Sequence, residues 1–173
     1  MNPPTRAVDL DFARKLIDHC CWEDERVWAL AVAPLTDEQF GREVGFGLGS
    51  IQRECAHIME TEWTHLRRLR GDSLTLSHTL DLPQDRAAMR ARWRAIHADW
   101  AAYMGELEVD LFFADCTFND GDRAFKLKAW QLIFDVIYQG TSHRSDIMRI
   151  AAEVHETPQF DLSLMQFLSG VFR

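Results

Sequence analysis

The stretch Tyr138-Gln139-Gly140-Thr141-Ser142-His143-Arg144-Ser145-Asp146-Ile147 decides how the rest of the chain is read. It lies inside a long helical pattern running from about Ala129 to His155, with Pro158 beyond its end. Gln139 and His143 are four residues apart, so on a helix they stack on one face, about 40° apart around the axis. A His at both positions would make a two-imidazole clamp for a divalent ion. Here the first position is Gln. Arg144, beside acidic residues, is expected to pair with an acidic neighbour on an adjacent helix rather than to position an anionic group.

Three further helices are legible upstream. Leu10, Ala13, Leu16, Ile17, Cys20, Val27, Leu30 and Ala31 give a first long helix over 8–32, stopped by Pro34. Thr36-Asp-Glu-Gln39 has the form of a capping box opening a short helix. Four glycines between 41 and 49 mark a loop. Ser50 is the expected N-cap of a second long helix to Arg70, with Gly71 at its C-terminal end. After a polar connection from Asp72 to Leu82, Pro83 opens a third helix through about Leu107. Residues 110–128 change character. Leu111-Phe-Phe113 and Cys116-Thr-Phe118 precede Asn119-Asp-Gly-Asp122 and Ala124-Phe-Lys-Leu127, an Asp-Gly hairpin signal. Asp161 is the expected cap of a short last helix through Phe172. Four long helices, one hairpin, no repeat and no low-complexity linker predict an all-α four-helix bundle, with 1–173 as one domain.

The chain has 173 residues and 47% apolar content, ample for a core that buries roughly 70% of the unfolded surface. Its net charge of −8 argues against nucleic-acid binding, which needs a basic face to displace counterions. Arg67, Arg68 and Arg70 read as cations closing a helix at the negative end of its dipole. Cys20, Cys21, Cys55 and Cys116 form no Cys-x-x-Cys pair, and a reduced, cytoplasmic setting is the simplest reading. No apolar run reaches the ~18 residues a membrane span requires, and the N-terminus has no signal-peptide pattern. Trp22, Trp28, Trp93, Trp100 and Trp130 fall on apolar helical faces and are assigned to the core.

Three segments carry a resemblance to a known family. They are Ser50-Ile-Gln-Arg-Glu-Cys-Ala-His57-Ile-Met-Glu-Thr-Glu62-Trp63, then Gln139-Gly-Thr-Ser-His143-Arg144, then Asp161 ahead of the last helix. Together with the order of elements they resemble the DinB/YfiT-like superfamily of bacterial four-helix proteins. The resemblance implies one His on the second long helix and two on the fourth around a divalent metal. His57 and His143 match those positions, and Gln139 stands at the third. Gln offers a neutral, hard oxygen, less suited to zinc or nickel than imidazole. Asp135, one turn earlier, is an alternative donor, and Asp135, Gln139, His143 and Asp146 lie within about 80° of arc.

The residues alone read differently at one point. On the second helix Ile51, Cys55, Ile58, Met59, Trp63, Leu66 and Leu69 share a face. His57 falls nearly opposite, among Ser50, Glu54, Thr61 and Arg68, where it reads as a solvated residue. Gln139 and His143 sit at a core-to-solvent boundary. Glu54 and Glu62 are general-base candidates only by residue type, and Cys55, about 160° from His57, is a poor partner for the same ion. His19, His65, His78, His97 and His155 show no ligand spacing to one another and read as structural or surface residues.

Two functions follow. The first is a metalloprotein holding a divalent ion (Zn, Ni, Fe or Mn), weakly or strongly according to Gln139. The resemblance implies thiol-dependent transfer with a low-molecular-weight thiol, or hydrolysis, on a small-molecule substrate. The second is a stress-associated, non-catalytic bundle with a decayed metal site, acting through protein contacts. A homodimer is expected from aromatic Phe112, Phe113 and Phe118 near the hairpin.

Overall fold

The computed structural model describes residues 3–72, 81–83, 85–120, 122–156 and 160–170. The elements are α1 (Pro3–Val27), α2 (Asp37–Gly41), α3 (Ile51–Leu69), α4 (Arg86–Glu106), α5 (Val109–Phe112), β1 (Asp115–Asp120), β2 (Arg123–Lys128), α6 (Ala129–Val154) and α7 (Leu164–Ser169). The expected all-α bundle with a hairpin before the fourth long helix is what the chain forms. The four long helices, α1, α3, α4 and α6, pack as a ring in which α6 touches α3 and α1, and α4 closes the other side against both. No helix among the described residues is long and apolar enough to cross a membrane.

The first helix loosens into a π-helical turn at Trp28–Val32 before Pro34, with Ala33 N–H donating to Trp28 carbonyl five residues back. Buried Leu10, Ala13, Ile17, Cys20, Val27 and Ala31 recur at three- and four-residue steps and face the core. Asp24 falls in the same stripe. On α6 the buried stripe is Ala129, Ile133, Val136, Gly140, Arg144, Ile147 and Ala151. Each stripe thus carries one charge into the interior, and the two meet: Arg144 Nη1 donates to Asp24 Oδ1 at 2.7 Å and its Nη2 to Glu23 Oε2 at 2.6 Å. The structural role expected of Arg144 is the one it has. Gly140 makes it fit, because a Cβ there would stand 2.7 Å from Arg144 Nη1.

Several boundaries differ from expectation for local reasons. The third long helix opens at Arg86 rather than Pro83, because Asp85 accepts Ala88 N–H at 2.7 Å and so is the cap. Leu111 and Phe112 belong to α5, not to a strand, and Phe112 turns into the core. The hairpin proper pairs Asp115 with Lys128 through Asp120 with Arg123, and Asp115 forms ion pairs with Lys126 and Lys128 across it. Ser163, not Asp161, caps α7. Asp161 instead accepts Ser163 N–H at 2.7 Å and the Gln166 amide at 2.6 Å. Gly170 ends that helix in the left-handed region at φ 69°, so it stops short of Phe172, which lies outside the described residues. His78, Pro158 and most of the 72–82 connection also lie outside them.

Two of the aromatic residues invoked for a dimer face, Phe112 and Phe118, are buried within the chain and Phe113 is partly so. The hairpin therefore presents no such patch. Its strands rest on the bundle, β1 against α3 and β2 against α6.

Candidate metal centre and the adjoining cleft

Helices α3 and α6 run antiparallel, since Glu54 meets His143 while His65 meets Asp135. That arrangement overturns the solvated reading of the polar face of α3. Ser50, Glu54, Thr64, His65 and Arg68 are all buried, and His57 is half-buried. The apolar face of α3 packs into the core of the ring while its polar face lies against α6 and the hairpin. The helix is enclosed on both sides, and two cross-helix pairs, Glu54 with His143 and His65 with Asp135, hold part of that polar face.

His57 and His143 come together at this interface, their ring centroids 4.5 Å apart and their planes at 68°. Two imidazoles bound to one ion at about 2.1 Å place their centroids roughly 4.5–5.5 Å apart, so the spacing fits a shared ion. Burial, reinforced by His143, lowers the His57 pKa below its ordinary 6.5, keeping the ring in the neutral form that ligates.

Behind His143 stands Glu54, completely buried, with Oε2 2.7 Å from His143 Nδ1. A carboxylate only accepts, so Nδ1 carries the proton and Nε2 is left with the lone pair. The other oxygen, Oε1, accepts Leu48 N–H at 2.6 Å. The glycine loop makes this closeness available: Gly47, at φ 55°, has no room for a Cβ, which would run into Glu54 Oε1. Asp146 completes an acidic margin, since ligand atoms of Glu54, His143 and Asp146 all lie within 4.8 Å of one another.

Gln139 is next to this pair but turned along the groove. It lines a cleft of about 410 Å³ together with His57, and its amide faces Asp135. Hydrogen bonding from His65, whose Nε2 is 3.0 Å from Asp135 Oδ2, is the largest influence holding the Asp135 carboxyl below its ordinary pKa. The Gln139 amide and Arg68 add to it against partial burial. Asp135 is thus engaged with His65 and Gln139 on the cleft wall. Among the sequence candidates, then, His57 meets His143 directly, Gln139 shares a cleft with His57, and Asp135 sits farther along. Glu54, a general-base candidate by residue type alone, stands instead behind His143, while His65 and Arg68 had no functional signal in the sequence; all three lie buried here.

A second acidic and thiol group, Cys20, Asp24 and Glu62, lies in the core. It does not fit a metal. Arg144 already places its cation 2.7 Å from Asp24 and 3.3 Å from Cys20 Sγ. Burial pushes the Cys20 thiol far above its ordinary range, away from the thiolate a metal requires. Burial, then the neighbouring Asp24, likewise raises Glu62 well above the usual carboxylate range. Trp93 Nε1 donates to Glu62 Oε2 at 2.9 Å, and His97 Nε2 lies 3.3 Å from Asp24 Oδ2. Burial opposes the ionisation of Asp24, but Arg144 and His97 outweigh it and hold its pKa down. The group is a buried ionic core held together by Arg144.

The family model described as the DinB family matches residues 6–168, nearly the whole chain. No curated protein matches the sequence.

Proposed function

Because the chain belongs to the DinB family, we propose that it binds a divalent metal between α3 and α6, with His57 and His143 as its nitrogen donors. The observation that carries this reading is the Glu54 carboxylate 2.7 Å from His143 Nδ1, beside the His57 ring. A carboxylate fixing the outer nitrogen of an imidazole is the usual support of a metal-bound His. Gln139 on the cleft side and Asp146 on the other supply oxygen. With two imidazoles rather than three, the donor set is harder, and selectivity moves from nickel and zinc toward manganese and iron(II).

When bound, the ion would lower the pKa of a coordinated water or thiol, the chemistry of metal-dependent hydrolysis or thiol transfer. The residues of the chain do the rest. Glu54 holds the His143 tautomer, the loop at Gly47 shields Glu54, and the cleft beside His57 accommodates a small molecule. Thiol transfer with a low-molecular-weight thiol, or hydrolysis, is the reaction class we assign.

The test is elemental analysis of protein purified without a histidine tag, beside a His57→Ala/His143→Ala double variant. Metal near one equivalent in the first and none in the second is the expected outcome. No metal in either, after loading with zinc, nickel, manganese or iron(II), contradicts the reading.

One observation favours a second reading, a bundle with a degenerate site acting through protein contacts. The third His position holds Gln139, and its amide already engages Asp135. Gln139→His separates the two. In a weakened site it raises zinc affinity at least about tenfold, the scale of one added good ligand. In a lost site it leaves zinc binding unchanged in competition with a chromophoric chelator.

A further inference from the structure

The hairpin roofs the groove between α3 and α6, and the cleft beneath it, about 410 Å³, falls in the range of small-molecule sites, roughly 300–1,000 Å³. Its apolar wall is Phe118, Phe125 and Leu127 from the hairpin with Leu132 from α6. Phe125 and Leu127 stand two residues apart on β2, so they share one face of the strand, and both are half-buried. The rings of Phe118 and Phe125 stack at 5.4 Å and 10°, which makes that wall flat.

The charges on the lining limit what a ligand can bring. Arg68 is buried and engaged within the chain, with its guanidinium 4.0 Å from the centroid of the Phe118 ring. Its Nε and Nη2 have no accessible surface. It offers no fork to a ligand anion, and Asp135 feels its charge less than it feels His65 or Gln139. Asp135 is placed differently. It is the carboxylate among the described lining residues, and its side chain is 48% exposed. His65 Nε2, 3.0 Å from Oδ2, and the Gln139 amide act on it as donors, which favours the ionised form. A carboxylate has about four lone-pair sites, and two donors do not fill them. The charge open to a ligand in this cleft is therefore negative.

Leu132 and Asp135 are three residues apart on α6, so their side chains are neighbours, with roughly 5–6 Å between Cβ atoms. The apolar wall thus ends beside a half-exposed carboxylate. A ligand that covers the wall and reaches Asp135 carries its charge only about two or three carbons from its apolar body.

We propose that this cleft binds a short arylalkyl amine in its ammonium form. Its ring lies against Phe125, Leu127 and Leu132, and its ammonium donates to the Asp135 carboxylate. The inference goes beyond the metal reading and stands on the cleft alone. It is measured on full-length protein freed of metal on a chelating resin, where failure of the metal reading leaves it untouched.

The experiment titrates 2-phenylethylamine and its uncharged counterpart, 2-phenylethanol, while the Leu127 and Leu132 methyl resonances report location and affinity. At about pH 8 and 0.15 M salt the amine keeps its proton, and diffuse attraction to the acidic chain is screened. The amine should bind at least about tenfold more tightly than the alcohol, equivalent to about 1.4 kcal/mol, and both methyls should shift. Asp135→Asn, which keeps the shape and an acceptor for His65, should erase the preference. Equal affinities for amine and alcohol, shifts confined to other residues, no saturation by about 10 mM amine, or a preference that survives in a folded Asp135→Asn each overturn the proposal. The amine–alcohol comparison is made on the unaltered chain, so it decides the matter even if the variant does not fold.

Discussion

Glu54 has both carboxylate oxygens engaged, one by Leu48 N–H at 2.6 Å and one by His143 Nδ1 at 2.7 Å. In the proposed metal site its role is therefore to hold the neighbouring ring rather than to bond the ion itself. Glu54→Gln keeps an oxygen for one partner but gives His143 a weaker acceptor and a competing donor. The expected loss in metal affinity is about 10- to 100-fold, the range for outer-shell support of a ligating His, with little change in unfolding. An equilibrium metal titration beside a denaturant curve checks it. Unchanged affinity would remove Glu54 from the site.

Arg144 behaves differently, because its contacts are wholly structural. It is 1% exposed and pairs with Glu23 and Asp24. Arg144→Met leaves two buried carboxylates without their cation, and a cost of about 3–5 kcal/mol is expected from urea unfolding at neutral pH. Removing a buried partner is costly even where the intact pair adds little net stability. A loss under about 1 kcal/mol would mean that the carboxylates find other partners.

At the scale of elements, the site is the meeting of two stripes with the same spacing. His57, Thr61, His65 and Arg68 step by four, four and three along α3, and Asp135, Gln139, His143 and Asp146 step by four, four and three along α6. The second stripe was legible as a boundary face. The first was read as solvated, because a helical wheel assigns polar residues to water and cannot see a second helix and a hairpin laid over them. Asp24 and Arg144 show the same blindness in reverse. Each occupies a buried stripe, and a charge in such a register signals a partner without naming it. His57 was recovered only through family resemblance, and Glu54 had no signal beyond its one-turn offset from His57.

The α1–α3 contact offers a prediction in pH. Glu62 is raised above its ordinary 4.5 by burial, then by Asp24, so the folded chain binds a proton that the unfolded chain releases. That contribution is fully present below about pH 4.5 and is lost as pH rises toward the folded-state value. Asp24, lowered from 3.8, works in the opposite direction and loses its contribution as pH falls through its depressed value. Glu62→Gln keeps an oxygen for Trp93 and an N–H for Asp24 while removing the titration. Urea unfolding from pH 4.5 to 8 should show a flatter slope for the variant and greater stability at the alkaline end. An unchanged slope would mean that Glu62 is ionised in the folded chain.

Over the whole molecule, a closed ionic core lies beside a partly open groove between α3 and α6. The interior, where all four long helices meet, holds the ionic core of Asp24 from α1, Glu62 from α3, His97 from α4 and Arg144 from α6, closed to solvent apart from a small part of His97. The α3–α6 side stays open enough to carry His57, His143 and Gln139 half-buried, with the hairpin as its roof. A rigid core behind a partly open groove suits a site that must hold its donors in place and admit a ligand. The measurement that tests the central claim most directly is X-ray absorption fine structure at the zinc edge on the zinc-loaded chain. The account predicts two imidazoles in the intact protein, with oxygen completing the shell, and one in each of His57→Ala and His143→Ala. A spectrum without imidazole scattering, or a count unchanged by His57→Ala, would contradict it.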